Sequence, residues 1–228
     1  MNNKRKRAIN GRIAAAQKEV KRKLKLNWEN SLTYNGEKFF FNNVPLLSVS
    51  TLLKGLNSVR FAVVPKSILE TAQQEGQAVT EWLQYIHENE VRYEQAEQLD
   101  YSSEKVKQMV LSVFRYLAAN DLRIMYVEKH ISNGRIHGFI DLVVMDKKRC
   151  LVTLLEIKTR GNNEVYDSDI LQLATYGRML SKEYLPCYIL IVNKRTFEVT
   201  TKQVKLNAKQ VGVANKFIKM FLNDNYLI

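Results

Sequence analysis

The chain has 228 residues, 46% of them hydrophobic, and a formal net charge of +12. This is enough to bury one substantial core, while no apolar stretch approaches the roughly 18 residues needed to span a bilayer and no signal-peptide pattern is present. The two cysteines, Cys150 and Cys187, are too few and too scattered for a structural zinc site or a four-cysteine iron–sulfur cluster, so free buried thiols in a soluble, intracellular protein are expected.

The charge is uneven. Residues 1–25 hold ten Lys or Arg against one acid, Glu19, and so contribute +9, leaving +3 for the rest. Residues 1–30 read as a basic arm, partly helical or flexible, in which Lys4, Arg5, Lys6, Arg7, Lys21, Arg22 and Lys23 are candidates for salt-sensitive, sequence-blind pairing with nucleic-acid phosphates. A solvated tail is the alternative. A mitochondrial presequence is a third reading, favoured by the arginines and scarce acids and opposed by the absence of Ser before Ser31. Residues 31–228 read as a single domain.

Within that domain, Ser67-x-x-Glu70 has the pattern of a capping box opening a long helix, with Ile68, Ala72, Gly76, Val79, Leu83 and Ile86 as its apolar stripe and Thr80 bordering it. A second helix is expected from Ser103 to Ala119, with Val106, Val110, Val113 and Leu117 at core spacing. Strands follow near 123–130, 136–145 and 150–158. Asp167 or Ser168 is expected to cap a helix over 168–182, whose Ile170/Ala174/Gly177 row suits packing on a sheet and leaves Gln172 and Tyr176 on another side. Strands near 187–193 and 197–204 and a helix over 207–223 complete the chain, and Tyr226-Leu-Ile228 packs on the body or serves a partner.

The segments Gly138–Val144 and Leu151–Ile157 are rich in β-branched and large apolar residues, and Asp146-Lys147-Lys148-Arg149 separates them as a turn, which makes a hairpin. A turn centred near Lys148 places Asp141 opposite Glu156 or one step away, and opposed side chains stand roughly 5 Å apart at Cβ. Lys158 projects from the same face as Glu156, while Leu155 and Ile157 point into a core. Carboxylates held that close repel unless one is protonated, water screens them or a cation bridges them. Oxygen ligands suit a hard ion such as magnesium or manganese, which would polarise a phosphoryl oxygen and acidify a bound water beside Lys158.

The order Gly138-Phe-Ile-Asp141, Glu156-Ile-Lys158, Gln172-Leu-Ala-Thr-Tyr176 resembles the PD-(D/E)XK nuclease superfamily, in particular its RecB-like and lambda-exonuclease-like branch with the Q-x-x-x-Y motif. Leu47-Ser-Val-Ser-Thr-Leu-Leu53 resembles the Ser/Thr segment near the start of that domain, and Glu75-Gly-Gln-Ala-Val-Thr80 its glycine-centred helix motif. The resemblance covers about residues 45–205. It implies an α/β fold of restriction-endonuclease type, an αβββαβ core with a mixed central sheet flanked by helices. It implies that Asp141 and Glu156, aided by the main-chain carbonyl of Ile157, bind one or two metal ions with Glu128 alongside, that Lys158 positions the attacking water, and that Gln172 and Tyr176 contact the nucleic acid or steady Lys158.

Two positions depart from the pattern. Ile140 stands before Asp141 where Pro is common, and Thr80 stands where many RecB-like members carry a metal-ligating His. His87 is seven helical residues on, about 10 Å along the axis, and does not replace it. The expected site therefore has fewer protein ligands at one metal or is completed by Glu128, with Thr80 and His137 lining the cleft. The function expected is a magnesium- or manganese-dependent DNA nuclease without an iron–sulfur cluster, an exonuclease of replication, recombination or repair that leaves a 5′-phosphate and works with a replication or recombination partner. A structure-specific endonuclease and a catalytically silent DNA-binding module are the alternatives. A cytoplasmic or nucleoid location is expected, or a mitochondrial one under the presequence reading.

Overall fold

A computed structural model describes residues 14, 17, 18, 21, 22, 24, 32–41, 43–53, 64–180, 185–204 and 216. Lys4, Arg5, Lys6, Arg7 and Lys23 of the arm, the helix expected over 207–223 apart from Lys216, and Tyr226-Leu-Ile228 lie outside the described residues.

Short strands β1 (Leu32–Tyr34), β2 (Phe39–Phe41) and β3 (Val44–Pro45) form a small antiparallel sheet that the sequence reading did not anticipate. β4 (Leu47–Ser48) opens the main sheet, and residues 49–53 are helical. The helices α1 (Lys66–Glu88), α2 (Tyr93–Ala96) and α3 (Glu104–Ala119) follow. Three long strands, β5 (Leu122–Ser132), β6 (Ile136–Asp146) and β7 (Leu151–Arg160), lead to α4 (Asp167–Leu180), then β8 (Cys187–Asn193) and β9 (Val199–Val204).

β5 lies antiparallel along one edge of β6 from Ser132↔His137 to Leu122↔Asp146. The other edge is shared: β7 pairs antiparallel from Asp146↔Leu151 to Leu142↔Leu155, and β4 pairs parallel at Leu47↔Ile136 and Ser48↔His137. Between them, residues 138–141 have no strand partner on that edge among the described residues. β7 instead continues parallel to β8, with Glu156↔Ile189 and Lys158↔Ile191 in register, and β9 closes the sheet antiparallel to β8. β6 and β7 thus fork at Asp141.

Helices cover both faces. Leu173, Ala174, Tyr176 and Leu180 of α4 join Leu52, Ile140, Val143, Leu154 and Ile189 in one core, and Val79, Leu83, Val106, Val110, Val113 and Leu117 of α1 and α3 join Leu142, Val144, Leu155 and Ile157 in the other. Ile140 and Leu142 are two apart yet belong to opposite cores. Regular alternation would put them on one face, so β6 turns over at Asp141. The architecture is the expected mixed sheet flanked by helices, and the strand spans and the α3 core residues agree with the sequence.

Several local expectations are corrected. α1 starts after Pro65, at φ −53 and with no side-chain cap, and Ser67 lies inside the first turn, where its carbonyl accepts the Thr71 hydroxyl. Proline presets the helical φ, which moves the start ahead of Ser67. Ile68 leaves the apolar stripe and is 57% exposed, because the packed part of α1 begins further along, at Val79. α4 begins at Asp167, and Asp169 rather than Asp167 or Ser168 takes an end N–H, that of Tyr166. Cys150 is exposed, in the hairpin turn, whereas Cys187 is buried as expected. The arm is anchored to the body in part: Gln17 brackets Val152, accepting its N–H at 2.5 Å and donating to its carbonyl at 3.4 Å, and Leu24 is buried in the α4-side core. Lys21 and Arg22 are helical and exposed.

Candidate active site

The fork in the sheet brings the predicted residues together. Where the β6–β7 ladder stops, the Asp141 carboxylate replaces a backbone acceptor: its Oδ2 accepts the Ile157 N–H at 2.6 Å. Glu156 and Lys158 share one side of β7, and Lys158 Nζ donates to Glu156 Oε1 at 2.8 Å and to Gln172 Oε1 at 3.1 Å. Gln172 Nε2 in turn donates to the Tyr176 hydroxyl at 3.2 Å. One row of hydrogen bonds therefore runs from Glu156 through Lys158 and Gln172 to Tyr176, joining β7 to α4.

These groups open on a cleft of about 740 Å³ between the fork and α1, lined by Gly76, Thr80, Glu128, Asp141, Glu156, Ile157 and Lys158 among others. A Cβ at Gly76 would meet Thr159 Oγ1 at 3.3 Å, so the small residue lets α1 approach β7 at the cleft floor. Thr80 faces the cleft, its hydroxyl donating back to the Gly76 carbonyl at 3.3 Å. Glu128 lies on β5 opposite Asp141, between the pairs Val127↔Leu142 and Lys129↔Ile140, in the left-handed region at φ 47. That conformation is uncommon for a non-glycine residue, and here it accompanies the break in the ladder that sends the Glu128 carboxylate into the cleft.

Burial sets the electrostatics. It pushes the Asp141 and Glu156 carboxyls above the ordinary carboxylate range, and each is raised further by a neighbouring carboxylate, Glu128 for Asp141 and Asp141 for Glu156. Lys158 opposes both shifts without cancelling them. Burial alone would lower the Lys158 ammonium, but Glu156, Asp141 and Asp169 outweigh it and raise its pKa, so the lysine stays charged. Glu128 is raised by burial and by Glu156. Three carboxyls thus share the surroundings of one ammonium, and each is shifted toward its neutral form.

Two oxygens are left without partners. Among the described residues, Glu156 Oε2 is buried and makes no hydrogen bond, and Asp141 Oδ1 makes none either. A buried carboxylate oxygen without a donor is costly, and a hard cation removes that cost. No group of three or more His, Cys, Asp or Glu side chains converges among the described residues, so the protein's own donors are few.

Two expected residues, Tyr176 and His137, sit away from the cleft surface. Tyr176 is 2% exposed and reaches the site through Gln172. A Cβ on Gly138 would stand 2.4 Å from the Tyr176 ring, so the glycine is what admits the ring beside the unpaired stretch of β6. His137 does not line the cleft: it lies 3.2 Å from His130 in a cluster with Phe39 and Phe139, where burial lowers both histidines, His130 to about 4. Arg160 and Asp169, which no sequence motif singled out, also stand beside the site. Arg160 donates to Asp169 Oδ1 at 2.7 Å and to the Glu164 carbonyl at 2.8 Å, and stacks on Tyr166 at 3.9 Å. Strand period two from Lys158 was the available signal for Arg160.

Residues 58–216 match the family model of the PD-(D/E)XK nuclease superfamily. The chain belongs to this superfamily. Membership implies a nuclease with DNA as its substrate, and nucleases of the PD-(D/E)XK superfamily generally use divalent metals. The chain is also similar to the uncharacterized protein UU146 of Ureaplasma parvum serovar 3, 30% identical over 163 residues that span 68% of this chain and 77% of that protein. Its likeness to the crystal structure of SSO0001 covers 91% of this chain and 86% of the other, at 12% identity and a TM-score of 0.36. No described helix is long and apolar enough to cross a membrane.

Proposed function

We propose that the protein is a magnesium- or manganese-dependent deoxyribonuclease of the RecB-like branch, an exonuclease of DNA replication, recombination or repair. The observation that carries this reading is the buried, unpartnered Glu156 Oε2 beside Asp141 and a lysine held in place on two sides. Asp141 and Glu156, with the Ile157 carbonyl and Glu128 nearby, are the residues that would hold the ion. A divalent cation held there would neutralise the carboxylate pair and polarise the phosphodiester.

The chain's own groups divide the remaining work. An ammonium has three donors, and two of those of Lys158 are committed to Glu156 and Gln172. The third is left for the attacking water or for a phosphoryl oxygen gaining negative charge. Gln172 accepts from the lysine with its oxygen and donates to Tyr176 with its nitrogen, so the tyrosine fixes which way the amide faces. In this reading the Gln172/Tyr176 pair positions Lys158, and Tyr176 serves the site from within the core. Residues 1–30 form the basic arm and 31–228 the nuclease domain.

End-labelled linear and circular DNA, single- and double-stranded, separate the modes of action. Mononucleotides or short products from linear DNA alone are expected. Nicked or opened circles would assign an endonuclease instead, and binding without cleavage of any form would assign a silent module.

A further inference from the structure

A second groove of about 820 Å³ continues the cleft past Arg160 and Thr159, bounded by the first turns of α1, the loop after β7 and the turn between β8 and β9. Its cations are Lys105, Arg160, Lys194 and Arg195. Asp169 neutralises Arg160, while Glu75 is shared between Lys105 at 2.6 Å and Lys194 at 2.5 Å. Burial pushes the Glu75 carboxyl up, but the two lysines outweigh it and hold it below its ordinary value, so it stays charged. Among the described lining residues and Asp169, four cations face two carboxylates, a surplus of two positive charges. Arg195 is exposed and makes no ion pair among the described residues.

The groove is built before any ligand arrives. Asn193 Oδ1 accepts the N–H groups of Arg195 at 2.9 Å and Thr196 at 3.3 Å, and the Lys194 N–H donates to the Arg160 carbonyl at 2.6 Å. These bonds fix the turn that presents Lys194 and Arg195 beside the end of β7. Arg160 is two strand residues from Lys158, about 6–7 Å along β7. A polyanion lying at Lys158 therefore meets the surplus charge next.

We propose that this groove carries the DNA strand away from the cut, with Arg195 gripping a backbone phosphate and Lys194 and Arg160 supporting it. The proposal rests on the nuclease reading of the adjoining cleft. A guanidinium free of carboxylates, on a preformed turn, suits bidentate contact with phosphate.

The test measures DNA binding in EDTA, where no cleavage is required, by fluorescence anisotropy of a labelled duplex with the full chain across a salt series. Arg195→Ala is expected to weaken Kd on the order of tenfold and to reduce the log Kd against log salt slope by about 0.9, the loss of one phosphate contact. Arg195→Lys should recover part of the affinity, and Lys148→Ala, the same charge change at the exposed hairpin turn, should cost much less. An unchanged Kd and slope in Arg195→Ala, an equal loss in Lys148→Ala, or no DNA binding by the wild type would overturn the proposal. An Arg195 effect in a protein that never cleaves would uphold the groove and sink the nuclease reading; cleavage without an Arg195 effect would do the reverse.

Discussion

The Asp141 carboxylate accepts the Ile157 N–H across the point where β6 and β7 separate. One side chain thus ends a ladder and keeps a second oxygen turned from it. Asp141→Asn retains an acceptor for Ile157 while removing a charge that Glu156 and Glu128 oppose. In EDTA its melting temperature is expected to equal or exceed that of the wild type, and added magnesium or manganese should raise it far less. An equal metal-induced rise in the variant would remove Asp141 from the ligand set.

The two raised carboxyls give the metal-free protein a definite pH dependence. Their pKa values are higher in the folded chain than in the unfolded one, so the folded state binds more protons between the ordinary carboxylate range and its own raised values. Stability is therefore greatest on the acid side of that window and is lost as pH rises through it. Thermal melts in EDTA from about pH 5 to about pH 9 should show this loss in the wild type and a flatter profile in Glu156→Gln. Parallel profiles would mean that Glu156 titrates normally.

Gly138→Ala tests the link between core and cleft. The added methyl meets the Tyr176 ring, which is buried and cannot swing clear, so overpacking should cost about 1–3 kcal/mol in chemical denaturation. Combining it with Tyr176→Leu should recover part of that stability. Additive losses in the double variant would show that the ring is not what the methyl strikes.

Tyr176→Phe removes only the hydroxyl that holds the Gln172 amide, a bond worth about 0.5–1.5 kcal/mol. Cleavage is expected to slow severalfold with little change in DNA affinity measured in EDTA. A loss of affinity with an unchanged single-turnover rate would instead put the pair on the nucleic acid.

The hairpin and its three charges were legible because a period-two pattern, a polar turn and short sequence separation fix the register, and the observed ladder places Asp141 and Glu156 next in line after Leu142↔Leu155. What stayed hidden depends on distant contacts. Gln17 bonds Val152 across 135 residues, and nothing near either residue announces it. The burial of Tyr176 follows from the missing Cβ of Gly138 on another element, whereas helix periodicity alone set the tyrosine on a different side from the Ile170/Ala174/Gly177 row, although it shares a core with Ile170 and Ala174. His137 is close to Asp141 in sequence, yet the aromatic cluster with Phe39, supplied by a small sheet of two- and three-residue strands with weak local signal, draws it away from the cleft. Lys194 and Arg195 belong to a turn whose position beside β7 appears only once β8 is laid parallel to it.

The central claim is that Asp141 and Glu156 hold a divalent cation next to a working lysine. Its most direct measurement is the single-turnover cleavage rate of end-labelled linear DNA in magnesium, manganese or EDTA, for the wild type and for Glu156→Gln and Lys158→Ala variants shown to be folded by their melting curves. Cleavage by the wild type with metal, none in EDTA, and a loss of about a hundredfold or more in each variant are expected. Cleavage that persists in EDTA, or that survives both substitutions, would contradict the claim.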